Sequence, residues 1–162
     1  MSIATRPVRW YFQEMDSTPE HRDLASWAYY VSFASLGMGL PIPFLSLIAG
    51  ATYHGIQAKK SPFIAFHSWQ ALLIGLPASL VVGVWSFQGL GYSFEYFLSA
   101  GHLTTDLTGF WILGAVSAVF LALEVILGLR GAAAAKNGLL VGFGPLGRLC
   151  ERLAAWQTIQ KT

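Results

Sequence analysis

Residues 61–73 read SPFIAFHSWQALL and follow directly on Lys59-Lys60. Three signals meet here. The basic pair marks a membrane face, Ser61-Pro62 is a helix start, and a long apolar run opens in which His67 and Gln70 stand three residues apart. From Phe63 to Phe87 no residue is charged, which exceeds the roughly 20 apolar residues needed to cross about 30 Å of hydrocarbon. A second run, Leu107 to Leu129, is interrupted only by Glu124. The stretch therefore reads as the start of a transmembrane helix. Its polar side chains need a reason, because such groups are costly in lipid.

Composition supports this reading. Of 162 residues, 54% are hydrophobic and 11% charged, against roughly 25% charged in ordinary soluble domains. The net charge of +2 is small and its basic residues are dispersed, so nucleic acid is not an expected partner. The lone Cys150 allows no internal disulfide and no multi-thiolate metal site. The N-terminal segment, 1–17, has no continuous apolar h-region and reads as neither a signal peptide nor a transit peptide; Glu14, Asp16 and Glu20 argue against the latter. No phosphate-binding glycine loop, HExxH or nucleophile–base constellation occurs, and the expectation is a protein that is not an enzyme.

Four spans are expected within a membrane domain covering 18–130. Thr18-Pro19-Glu20 is a capped helix start, and the first span follows at about 24–40. Pro41-Ile42-Pro43 breaks it, and a second span runs over 43–58. The third covers 62–87, with Pro77 a kink. An aromatic and glycine-rich loop, 88–103, suits the interfacial belt. Thr104-Thr105-Asp106 caps the fourth span, 106–130. The tail, 131–162, carries a helix at about 145–157 whose Leu146, Leu149, Cys150, Leu153 and Trp156 recur at helical spacing. It reads as an amphipathic helix on the membrane surface or packed against a partner. The expected fold class is thus an all-α integral membrane protein, four transmembrane helices plus a C-terminal interfacial helix.

Lys59, Lys60, Arg130, Arg148 and Arg152 set topology and meet lipid headgroups. With no Lys or Arg between the third and fourth spans, the positive-inside rule puts both termini on the cytoplasmic side of an inner membrane.

Counting rise per residue from the expected helix ends puts His67 roughly 9 Å inside the third span. Glu124 falls at a similar depth on the antiparallel fourth, and His54 slightly shallower on the second. His54, His67, Gln70 and Glu124 therefore form an expected intramembrane polar layer. Three roles are open to it. The groups can hydrogen-bond across helices, worth roughly 0.6 kcal/mol per pair. They can line a proton or ion path. Or His67 or His54 can be an axial ligand to haem or a chlorophyll-type pigment, although no firm cofactor is expected.

The SPF-aromatic-His-x-x-Gln-Ala-Leu pattern of 61–72 resembles the signature of small bacterial four-helix membrane proteins. These are related to the twenty-kilodalton channel component of the chloroplast inner-envelope protein translocon. Thr18-Pro19-Glu20 with Arg22, Pro41 to Phe44, and Ala134, Lys136, Gly138, Pro145 and Arg148 are similar to its other conserved pieces. The resemblance implies four spans, membrane partners (other subunits or copies of itself) and, by its plastid branch, protein translocation. Two departures stand out. Tyr29-Tyr30 occupies the place of a His that bacterial members carry, and Glu124 lies outside the pattern.

Overall fold

The computed structural model describes residues 17–39, 44–99, 101–102 and 106–159, without the side chains of 34–39 and 157–159. The expected break at Pro41–Pro43, the caps Thr104 and Thr105, and segment 1–16 lie outside these residues. The described chain is all-helical: α1 (Pro19–Gly39), α2 (Leu45–Gln57), α3 (Pro62–Leu98), α4 (Thr108–Lys136) and α5 (Pro145–Ile159). Of these, α3 and α4 are long and apolar enough to cross a membrane.

The helix starts follow their capping residues. The Thr18 hydroxyl accepts from the His21 amide at 3.2 Å, and Ser61 accepts from Phe63 with Pro62 in the first turn. Asp106 accepts from both the amide and the hydroxyl of Thr108 at the entry to α4.

Two helices run further than expected. The third continues through Pro77 to Leu98, so 88–98 is helix and not loop. Gly89, one source of the loop reading, is instead a contact: a Cβ there would lie 3.4 Å from the Phe110 ring. The fourth does not stop at Arg130. Ala132 to Ala135 are strong helix formers, and the stop signal is Asn137-Gly138. Gly138 has φ +71, and its amide bonds Ala135 O while Leu139 bonds Ala134 O, at 3.0 and 2.9 Å. This is a Schellman exit, and it turns the chain back across the bundle.

Register along α3 and α4 is regular and antiparallel. The close approaches are Gly75 to Glu124, Trp85 to Gly114 and Gly89 to Phe110. Ten residues along α3 match ten back along α4. Continued inward, this brings Arg130 level with Trp69, and outward, Thr108 level with Gly91. On the other side α1 crosses α4 with Tyr29 against Gly131 and Phe33 against Gly128. The shorter α2 lies along α3 through His54–Ser68 and Ser46–Ser79 hydrogen bonds, both 2.7 Å.

The first half of α3 is the hub. Phe63 to Ser68 are all buried, as are Gln70 and Ala71, enclosed by α1, α2, α4 and α5. Beyond Leu76 the helix opens outward, and Phe97 is 83% exposed. One apolar face of α4, including Trp111, Ile112, Val119, Leu123 and Ile126, is exposed along its length.

The C-terminal helix packs on this chain. Cys150 and Ala154 are buried against Ala58, Ala65 and Phe66, while Leu149 and Trp156 are 43% and 59% exposed. The apolar stripe expected to share one face is therefore split, because i and i+4 from Cys150 select the inward side.

Candidate functional site: the buried polar centre of the bundle

The Schellman exit at Gly138 is what builds the site. It carries the backbone of Val141 over α3, where the Gln70 amide nitrogen donates to the Val141 carbonyl at 2.8 Å. That bond fixes the amide, so Gln70 Oε1 faces α1. An amide oxygen only accepts, and Tyr29 supplies the proton at 2.7 Å. Tyr29 has no second proton, so its oxygen receives one from His67 Nδ1 at 3.0 Å. The tautomer follows from this network. The Tyr29 hydroxyl thus joins α1 to α3, and Gln70 carries the link on to the segment after α4.

His67 is 0% exposed. Its ring is ringed by Phe63, Phe66 and Tyr29, with centroids at 4.7, 5.2 and 5.9 Å. The edge-on angles suit an aromatic quadrupole. His54 forms a separate link. Its Nδ1 meets the Ser68 hydroxyl, which also bonds Ala65 O at 3.1 Å, and its ring lies 4.3 Å from that of Trp69. Tyr53, beside it, donates to Leu24 O on α1 at 2.6 Å.

The four polar residues expected in one layer divide. His67 and Gln70 come together around Tyr29, and His54, on α2, pairs instead with Ser68 of α3. Glu124 does not join them. It lies against Gly75, eight residues beyond His67 along α3, or about 12 Å. The cause is the extent of α4, which runs six residues past Arg130 and so draws Glu124 away from the helix end. Tyr29 was not among the expected site residues. The signal that could have found it was the resemblance itself, since Tyr29-Tyr30 stands where the proteins it resembles carry a polar His.

Lys59 and Lys60 follow α2 and are exposed, as are Arg130 on α4 and Arg148 and Arg152 on α5. Among the described residues no group of three His, Cys, Asp or Glu side chains is arranged to hold a metal ion. No family model, curated protein or solved structure matches the chain.

Proposed function

We propose that the protein is a small, non-enzymatic integral membrane subunit that assembles with other membrane subunits or with its own copies. The observation that carries this reading is the division of labour along α3. Its inner half spends His67, Gln70 and Ser68 on fastening α1, α2 and the Val141 segment. Its outer half, with α4, presents continuous apolar side chains outward. Such a surface belongs against lipid or another apolar helix.

Charge placement supports a depth for the bundle. Setting the inner boundary at the exposed Arg130 puts Trp69 of α3 level with it. The span then covers about 23 residues of each helix, 69–91 against 108–130, or roughly 34 Å. At this depth α1 and α2 do not cross. The 13 residues of α2 rise about 20 Å, short of the ~30 Å hydrocarbon. The α1–α2 pair is then a re-entrant hairpin, and two crossings replace the four expected. The hub of α3 with α5 forms a helical head on the inner face. The translocon resemblance extends the reading to a subunit serving protein translocation.

An axial-ligand role receives no support from the geometry. An axial ligand binds through a ring nitrogen, and His67, at 0% exposed, would have to be unpacked before a macrocycle could reach it, while His54 Nδ1 is engaged by Ser68.

Gentle detergent extraction followed by native mass spectrometry tests the proposal. The protein is expected to migrate with other chains or as a multimer. A clean monomer under those conditions overturns it.

A further inference from the structure

Among the described residues, Glu124 is the one buried side chain of the Asp, Glu, Lys or Arg type. It is 3% exposed, and among the described residues neither Oε1 nor Oε2 has a hydrogen-bond partner. The carboxyl fills the space that Gly75 leaves on α3: a Cβ at Gly75 would lie 2.9 Å from Oε1. Gly75 is therefore part of the site, because a side chain there would force the carboxyl to move.

No described titratable or charged group faces it. On α3, His67 is two turns inward and held by Tyr29. On α1, Tyr29 lies against Gly131 and Phe33 against Gly128, so the approaches to α4 there are aromatic rings. On α4 itself Arg130 is exposed, six residues further along. An anion cut off from water on both oxygens, with no cation beside it, is strongly disfavoured. A neutral acid of the same shape is not penalised in this way.

We propose that Glu124 is a proton-binding site in the α3–α4 seam. The closed seam holds the carboxyl as the acid, and loss of the proton is coupled to parting of the helices at Gly75. The coupling is reciprocal: a seam that closes only over the acid must open more readily once the proton leaves. This goes beyond the subunit reading and does not depend on any partner.

Infrared spectroscopy of the full-length protein in lipid vesicles tests it. At neutral pH the wild type is expected to show a protonated-carboxyl C=O band that is absent from Glu124→Gln. Glu124→Gln, a permanent neutral mimic of the acid, should unfold at the same temperature as the wild type or higher. It should also lack the part of the wild type's alkaline loss of stability that Glu124 causes. In Gly75→Ala the band should shift or vanish while Glu124 is still present. The proposal is overturned by the absence of a Glu124-dependent acid band at neutral pH. It is equally overturned by a Glu124→Gln variant that is destabilised throughout the pH range, or by a band unmoved in Gly75→Ala.

Discussion

Tyr29 holds more of the site together than either polar residue of the SPFIAFHSWQALL motif. Its hydroxyl is at once the donor to Gln70 and the acceptor for His67, and the residue is 1% exposed. Tyr29→Phe keeps the ring packed against Gly131 and removes only that oxygen, leaving two buried polar groups with one partner fewer. Such orphaning costs about 1–3 kcal/mol, and chemical unfolding in detergent should show a loss in that range. An unchanged midpoint would mean that the triad contributes nothing to stability. The pairing of His67 with Gln70 was legible from their i, i+3 spacing. Tyr29 was not, because its partners lie 38 and 41 residues away and a Tyr near a helix middle reads equally as interfacial. Glu124 was legible as unusual but not as to depth, since depth is counted from a helix end that Arg130 only imitated.

At the scale of elements, starts were easier to read than stops. Thr18 and Ser61 cap by local chemistry, which the sequence displays directly. The continuation of α3 past Gly89 depends on a tertiary contact, Phe110 over Gly89, that overrides the loop tendency of glycine. The stop of α4 is local but lies at Asn137-Gly138, beyond the Arg130 that imitated it. The docking of α5 is again tertiary. It rests on Cys150, which is fully buried against Ala58, Ala65 and Phe66, and on a close turn into the helix, for a Cβ on Gly142 would lie 2.9 Å from the Cα of Gly147. Burial pushes the Cys150 thiol from 9.0 up to about 12. A thiol raised in this way favours the fold below pH 9, and that advantage is lost as pH climbs toward 12. Since the thiolate is the reactive form, a maleimide at neutral pH should leave Cys150 unlabelled in the native protein. Gly147→Ala forces the two backbones apart and should make it label readily. Rapid labelling of the wild type would show that α5 is not docked in solution.

For the whole molecule the question is how far the α1–α2 hairpin travels. The apolar runs on either side of Pro41–Pro43 read as two crossings, since apolar residues look the same whether they traverse a bilayer or stop midway inside a bundle. At the proposed depth the register distinguishes the two. Phe44, in a left-handed conformation (φ 67) that bulky residues seldom adopt, caps α2 and lays its ring on Gly83, where a Cβ would be 2.8 Å away. With the inner boundary at Trp69, Gly83 is 14 residues outward, about 21 Å. The outer leaflet's remaining hydrocarbon, roughly 9 Å of it, still lies above. Single cysteines in a Cys150→Ala background resolve this with an impermeant maleimide on sealed, right-side-out vesicles. A cysteine replacing His102, in the α3–α4 connection, should label from outside. One replacing Lys60 should label only after the vesicles are opened. Position 44 is the decisive one. Phe44→Cys should stay unlabelled in both preparations and react once the protein is denatured, because its environment is neither aqueous face. Labelling from outside at the rate seen for position 102 would restore four crossings. The α1–α2 hairpin would then be a full transmembrane pair, and the inner boundary would have to move toward Ser61, immersing α5 and its arginines in hydrocarbon.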